Sequence, residues 1–207
     1  MSLYPATAEF LEHFQRDAQV RWSSDDLAAQ KQFVNAQIAG RNWVDWSGPT
    51  AALQLIQGSR AEAFLGAVEE PDALVLAGPV VELLDPEVLF NQAASLLRSG
   101  GKLVGIIPCL RDNSPESREF SRLAASSLWP YYTAEELLEM LSEAGWKIEV
   151  AVSGFVAIPG FNQVVRKGEL GFRGFAKVFE QLMGDGYDPM EVGWGELRFV
   201  ATPKARG

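Results

Sequence analysis

The pattern of apolar and polar positions is clearest in the middle of the chain, between residues 72 and 108. Two short apolar runs, 73–77 and 103–107, predict strands. Asp85 and the proline after it are typical of a helix start, and Gly100 with the glycine after it of a helix end. The predicted helix carries its apolar positions at a spacing near 3.6 residues: Val88, Leu89, Ala93, Leu96 and Leu97. Two apolar strands joined by one helix predict a parallel βαβ unit that is covered on both faces.

The first forty residues, 1–40, predict a helical prefix. Thr7 is placed to cap a first helix, the cluster Ser23-Ser24-Asp25-Asp26 to cap a second one, and Gly40 to end it. Such a prefix serves either as a lid over a site or as packing that covers a sheet edge. Both interpretations stay open at this point, because nothing in the prefix is chemically distinctive.

Helix and strand signals continue to alternate in the second half of the chain. Ser114 and the proline after it predict a helix start, and Thr133 with Glu136 predicts a capping box at the start of another helix. A strand is predicted over 147–153 and a last strand over 196–202.

An insertion, residues 155–195, separates the last two predicted strands. It contains an amphipathic helix over 173–183 and is otherwise rich in glycine and aromatic residues. The insertion is able to shape a substrate pocket, form a dimer face or simply pack on the sheet. No linker or internal repeat is visible, so 1–207 is predicted to be a single domain.

Composition and charge remove several classes of function. The net charge is −9 and the basic residues are scattered, which disfavours a nucleic-acid partner. A lone cysteine, Cys109, excludes an internal disulfide and gives no metal cluster, and a lone histidine, His13, leaves almost no material for histidine-based catalysis. No stretch is apolar enough to span a membrane and the N-terminus lacks a signal-peptide pattern, so a cytoplasmic protein is expected.

Two segments resemble class I S-adenosylmethionine-dependent methyltransferases. In the first, Asp72 precedes an apolar strand, and the leucine–glycine turn at 97–101 leads to a strand that ends in Pro108. The second, 131–146, is similar to the family's "yTxeeLxxLLxxAGF" stretch. The resemblance covers most of residues 42–204. It implies an α/β, Rossmann-like methyltransferase fold with a mostly parallel sheet, helices on both faces and an antiparallel final strand.

The resemblance also implies where S-adenosylmethionine would bind. In the family the first strand ends in an acid and a glycine-rich loop, and Asp45 and Gly48 match that pattern, although Pro49 supplies no N–H group. In a second alignment Asp45 and Ser47 match the acid that ends the family's second strand and binds the ribose hydroxyls. Asp45 is the candidate ribose-side acid in both alignments, and its alternative role is to cap a turn.

Two further residues complete the candidate cofactor-binding set. Glu62 matches a position near the family's adenine pocket, and Gly78 follows the strand at 73–77. Only a few residues separate Asp45 from the run at 53–58, which resembles the family's third strand. A crossover takes about a dozen residues or more, so at least one strand–helix unit is expected to be missing or replaced.

Several charged residues lie near the predicted strand ends. Glu82 is the only base inside the loop that in the family lies nearest the transferred methyl group, and it is expected on the solvent side of a buried turn. Arg111, Arg118 and Arg122 follow the second strand of the central unit. They are placed to meet an anionic substrate or to solvate a helix, and solvation is the expectation.

Two hypotheses about function remain open. The first is an S-adenosylmethionine-dependent methyltransferase-like protein that methylates a small molecule. The second is a catalytically inactive methyltransferase-like interaction or regulatory protein that does not bind the cofactor, with a protein partner or a homodimer as its assembly. The sequence identifies no catalytic residue and no metal site. An NAD-dependent oxidoreductase is disfavoured, because no GxGxxG follows a predicted strand.

Overall fold

The computed structural model of the protein describes residues 7–48, 70–154 and 160–204. The helices of these ranges are α1 (Thr7–Arg21), α2 (Ser24–Ile38), α3 (Val80–Leu83), α4 (Pro86–Leu96), α5 (Pro115–Ser127), α6 (Ala134–Glu143), α7 (Phe161–Arg166) and α8 (Gly174–Gly184), with a 3₁₀ turn at Pro189–Glu191. The strands are β1 (Trp43–Asp45), β2 (Ala73–Leu76), β3 (Lys102–Leu110), β4 (Trp146–Gly154) and β5 (Trp194–Pro203). Among these helices, none is long and apolar enough to cross a lipid bilayer.

The described strands form one sheet in the order β1-β2-β3-β5-β4. β1 pairs with β2 and β2 with β3 in parallel, whereas β5 runs antiparallel to both β3 and β4. Four of the strands in this part of the chain therefore point the same way, and the last strand opposes them. The predicted α/β fold, the parallel βαβ unit and the antiparallel final strand are all confirmed.

Local capping explains where the predicted helices begin. Asp85 Oδ1 accepts a hydrogen bond from Glu87 N at 2.8 Å, with a proline in the first turn of α4. The capping box of α6 is present, because Thr133 N donates to Glu136 Oε2 at 2.7 Å and Glu136 N donates to Thr133 Oγ1 at 3.3 Å. A second capping box, between Ser23 and Asp26, starts α2 as the prefix pattern predicts.

The predicted end of the central helix is wrong. α4 ends at Leu96, and Gly100 lies in the turn that leads to β3 rather than at the helix terminus. Gly100 does have the positive φ, +75°, that its type favours. The turn is closed by Gly101 N, which donates to the carbonyl oxygen of Arg98 at 2.8 Å, so the glycines shape the turn after the helix has stopped.

Alternate residues of the strands face two different layers. Leu74 and Leu76 of β2 belong to the main core, whereas Ala73 and Val75 contact the smaller cluster around Ile38 of α2. The same alternation continues through β3 and β5, which leaves both faces of the sheet covered by helices. The main core lies on the face of α4 and α6.

Aromatic rings join the insertion and the prefix to the main core. Phe120 of α5 makes edge-to-face contacts with Phe179 of α8 and with Trp194 of β5, at centroid distances of 5.8 and 5.0 Å. Phe10 of α1 contacts Trp129 at 4.7 Å. α1 therefore packs as part of the core, so for this helix the packing interpretation of the prefix holds rather than the lid.

The backbone of the insertion is also held by α1. The carboxylate oxygens of Asp17 accept from Gly171 N at 3.0 Å and from Phe172 N at 2.8 Å. The helix predicted over 173–183 is α8 and is confirmed. The run at 53–58 that was predicted as a third strand lies outside the described residues and stays a prediction.

Candidate functional site

A cavity of about 410 Å³ lies between the prefix helices and the carboxyl ends of the parallel strands. Asp45 at the end of β1, Gly78 after β2 and Pro108 near the end of β3 border it. Ligands of open α/β sheets bind in a crevice outside the carboxyl ends of the strands. The cavity is thus placed where this architecture places its ligands.

One complete face of α2 forms a wall of the cavity. The lining residues of this helix recur at helical spacing: Leu27, Gln30, Lys31, Val34, Asn35 and Ile38. Ile38 is buried at the C-terminal end of α2, against β2. Val34 packs against the same small cluster, and the other lining residues of this face are partly or fully exposed toward the cavity. α2 therefore acts as the cover of the cavity, whereas α1 packs into the core.

Asp45 borders the cavity and also shapes its own turn. Its Oδ1 accepts a hydrogen bond from Ser47 N at 2.8 Å, so Asp45 caps a turn, which is the alternative role that the sequence suggests. The side chain is exposed, and among the described residues Oδ2 has no hydrogen-bond partner. β1 pairs directly with β2, and in doubly wound sheets the first strand lies beside the fourth, so the first-strand alignment of Asp45 is the one that fits.

The other candidate cofactor-binding residues differ in what surrounds them. Gly78 has φ +64°, and a Cβ atom there would lie 2.2 Å from the carbonyl oxygen of Ser47. Only glycine allows the turns after β1 and β2 to approach so closely. Gly48 is not in such a tight position, because among the described residues no atom lies within 4 Å of a Cβ atom added there. Glu62 lies outside the described residues.

A buried ion pair closes the inner part of the cavity, and it overturns the expectation for Glu82. Glu82 is only 4% exposed rather than on the solvent side of its turn. Its Oε1 accepts from the guanidinium of Arg21, the last residue of α1, and from the hydroxyl of Tyr131 at 3.1 Å. Arg21 is 6% exposed. A buried carboxylate needs such partners, because an unpaired charge is costly away from water.

Aromatic rings surround the guanidinium of Arg21. Its central carbon lies 5.2 Å from the ring centre of Phe175, 5.4 Å from those of Phe161 and Trp194, and 5.7 Å from that of Trp22. Burial lowers the pKa of Arg21, but the Glu82 carboxylate and the Tyr131 hydroxyl outweigh it and raise the pKa above its usual range.

The phenol of Tyr131 is held in its neutral form by the same environment. Burial, followed by the charge of the Glu82 carboxylate, raises the pKa of Tyr131 well above its usual value. The neutral hydroxyl is thus able to keep donating its proton to Glu82 Oε1. The ion pair and the phenol form one closed arrangement.

A second buried carboxylate, Glu196 of β5, borders the cavity on the sheet side. It is 2% exposed, and it accepts from Gln30 of α2 through Oε2 and from Arg198 through Oε1. Burial raises the pKa of Glu196, although the hydrogen bonds from Arg198 and Gln30 act in the opposite direction. Burial and the charge of Glu196 also raise the pKa of the Cys109 thiol to about 12, so this thiol stays protonated at neutral pH.

The three arginines that follow β3 do not border the cavity in the described part of the chain. Arg111 pairs with Asp112 at 2.8 Å, and Arg122 pairs with Glu119 and, at 3.6 Å, with Asp185. Arg118 is exposed. The expectation that these side chains solvate their helix fits these positions.

S-adenosylmethionine fits the site in part. Asp45 Oδ2, which has no partner in the described part of the chain, suits a nucleoside-sized ligand. So does the volume of the cavity, which lies within the range of about 300–1,000 Å³ that is typical of small-molecule sites. The position beside Gly78 is not an open cradle, because the carbonyl oxygen of Ser47 occupies it. The acid and the space are present, and the described glycines do not by themselves form the phosphate-type backbone nest of other Rossmann proteins.

No protein-family model and no curated protein sequence matches the chain significantly. Solved structures do match. The [4+2]-cyclase SpnF aligns with a TM-score of 0.54 and 13% identity over 96% of this chain and 93% of that chain. A putative methyltransferase, BH2331 from Bacillus halodurans C-125, aligns with a TM-score of 0.54 and 13% identity, over 88% of this chain and 100% of that chain. Phospholethanolamine N-methyltransferase 2 of Haemonchus contortus aligns with a TM-score of 0.53 and 11% identity, over 97% of this chain and 58% of that chain.

At identities this low, the similarity concerns the fold and not the activity. The described sheet order, the opposing last strand and the cavity at the strand ends agree with it. The protein therefore has the Rossmann-like fold of class I S-adenosylmethionine-dependent methyltransferases.

Proposed function

We propose that the protein is an S-adenosylmethionine-dependent methyltransferase that acts on a small molecule bound between α2 and the sheet. The observation that carries the proposal is the position of the cavity at the carboxyl ends of β1, β2 and β3. The fold neighbours that are named as methyltransferases support the same cofactor.

In this proposal, the chain's own residues bind and orient the ligands. Asp45 holds the ribose side of the cofactor through the oxygen that the turn leaves unused. S-adenosylmethionine, when bound, supplies a methyl group activated by its sulfonium centre. α2 excludes water and presents Gln30 and Asn35 to the acceptor. Glu82 holds α1 in place rather than taking a proton, because Arg21 and Tyr131 already bind it.

Calorimetric titration of S-adenosylmethionine and S-adenosylhomocysteine, with melting curves at the same concentrations, tests the proposal. We expect binding of both and a rise in melting temperature. Asp45→Asn keeps an acceptor for Ser47 N and removes only the charge, so it should weaken binding on the order of tenfold. Asp85→Asn is the matched control, since Asp85 Oδ1 accepts from an amide two residues on in the same way, at 2.8 Å. Absence of heat and of a thermal shift at millimolar ligand would contradict the proposal.

A second candidate function is that of a methyltransferase-like binding protein without a cofactor, as an interaction or regulatory subunit. The observation that favours it is the carbonyl oxygen of Ser47, which fills the position beside Gly78. In the described part of the sheet β1 is also an edge strand, so the cofactor half is shorter there than in a full doubly wound sheet. Failure of both cofactor ligands to bind, with the protein folded, would select this candidate.

A further inference from the structure

We infer that the small molecule held in this cavity carries a positively charged nitrogen, as an alkylammonium or a quaternary ammonium group, with Glu196 as its counter-ion. The inference deepens the proposed function by naming the chemical class of the substrate. It rests on the proposed function for calling this molecule a methyl acceptor, and the atom that accepts the methyl group is then a different one from the charged nitrogen, which has no lone pair. The binding preference itself follows from the charges and rings around the cavity.

Among the described residues, the ionisable side chains that border the cavity carry a net negative charge. Four are carboxylates and two are cations: Asp17, Asp45, Glu82, Glu196, Arg21 and Lys31. The charge of Arg21 is matched by Glu82, and Glu196 forms a salt bridge with Arg198, which does not itself border the cavity. Lys31, which is exposed, is the one cation that lines the cavity without an ion pair among the described residues. A cleft lined by one sign of charge attracts ligands of the opposite sign.

Glu196 is the carboxylate best placed to meet a ligand inside the cavity. It lies opposite Pro108 in the pairing of β3 with β5, and its side chain faces the space under α2, where Gln30 reaches it. Gln30 and Arg198 each donate to a different oxygen. An ionised carboxylate has about four acceptor positions, so both oxygens keep capacity for a donor from the cavity.

The chain already holds one cation by aromatic rings next to this space. Phe161 and Phe175, whose ring centres lie 5.4 and 5.2 Å from the guanidinium carbon of Arg21, also border the cavity. Attraction between a cation and a ring face strengthens when both are removed from water. A ligand cation in the cavity would have aromatic rings of the kind that surround Arg21, and the carboxylate of Glu196, along the same lining.

Matched pairs of probes test the inference. Choline is compared with its neutral analogue 3,3-dimethylbutan-1-ol, and benzylammonium with benzyl alcohol, by calorimetry and melting curves with and without S-adenosylhomocysteine. We expect each cation to bind and to raise the melting temperature more than its neutral partner. Equal behaviour within both pairs, or no binding of either cation, would overturn the inference.

Variants with opposite expected signs separate binding from folding. Glu196→Gln keeps the shape of the side chain and should weaken cation binding on the order of tenfold. Lys31→Glu changes an exposed residue and should strengthen it. Glu139→Gln, on an exposed position of α6 away from the cavity, should leave it unchanged. Unaltered cation affinity in both cavity variants would show that the probes bind elsewhere and would overturn the inference.

The two proposals fail separately in these experiments. Binding of choline or benzylammonium without any binding of S-adenosylhomocysteine would remove the methyltransferase proposal and keep the cation site. Binding of S-adenosylhomocysteine with no preference for the charged probes would keep the methyltransferase proposal and remove the cation site.

Discussion

Helices α2 and α8 use their inner faces in opposite ways. α8 buries Phe175, Val178, Phe179 and Leu182, at i, i+3, i+4 and i+7, and packs them into the aromatic cluster around α5. α2 turns a longer face, 27–38, toward the cavity, and Ile38 is its buried residue. Among the described residues, the side-chain hydrogen bond that joins α2 to the sheet runs from Gln30 to Glu196.

The difference shows which part of the molecule provides stability and which part provides space. The α8 side buries large rings, and one of them, Phe175, also borders the cavity beside Arg21. The α2 side keeps its polar residues in contact with open volume, at a cost in buried area. A face that is both regular and half-polar is therefore the better indication of a binding wall than an apolar face of the same period.

The largest effect is expected from removing a ring on the α8 side. Phe179→Ala should lower the free energy of unfolding by about 3–5 kcal/mol, because the residue is fully buried against Phe120. Val34→Ala, on the cavity face of α2, should cost less than about 1 kcal/mol, because its side chain is only partly buried between the cluster around Ile38 and the cavity. Urea unfolding of both variants measures the contrast, and equal losses would show that α2 belongs to the scaffold.

A somewhat smaller loss of stability is expected at the ion pair of Arg21 with Glu82, which lies between the cavity and the aromatic rings of the α8 side. Arg21→Met should lower the free energy of unfolding by about 3 kcal/mol, because it leaves the buried Glu82 with Tyr131 as its remaining partner. The double variant Arg21→Met with Glu82→Leu should recover much of this loss, since no buried charge remains. A double variant that is less stable than Arg21→Met would show that the pair itself, and not the unpaired charge, dominates.

The smallest effect concerns the start of α5, the helix against which α8 packs. Burial alone would raise the pKa of Asp112, but hydrogen bonds from Arg111, Ser114 and Ser117 lower it from 3.8 to about 2. A carboxylate whose pKa is lowered in the folded protein stabilises the fold at pH values above its usual pKa. This contribution is lost as the pH falls toward the pKa of the folded state.

We therefore expect Asp112→Asn to reduce stability by up to about 1 kcal/mol at neutral pH, a modest value because the side chain is partly exposed. The difference from the wild type should shrink between pH 3.8 and pH 2 and vanish below that. Chemical unfolding at a series of pH values measures it. A difference that persists undiminished at pH 2 would contradict this assignment.

The fold was predictable because its signals are local. The start of α4 at Asp85 and the capping box of Thr133 with Glu136 act within three residues along the chain. The strands of the central unit follow from short apolar runs that match buried positions. The end of α4 was missed because glycine signals a turn without fixing how many residues lie between the helix and the turn.

The site was predictable only where the resemblance reached it. Asp45 and Gly78 do border the cavity. Glu82 was misjudged because its partner, Arg21, lies 61 residues away in the chain, and no local pattern shows such a pairing. Glu196 was missed for a similar reason, since Gln30 lies 166 residues away. An acid followed two residues later by Arg198 on the same face of a largely apolar last strand was the available signal for it.

The short β1 has a consequence for how copies of the chain meet. In the described part of the sheet it is an edge, and an open edge invites strand pairing between molecules, which leads to aggregation. β1 is three residues long and ends in an exposed carboxylate, Asp45, and both properties discourage such pairing. Within the described part of the sheet, Asp45 thus disfavours edge-to-edge pairing whether or not a ligand is bound, and an apolar residue at this position would favour it.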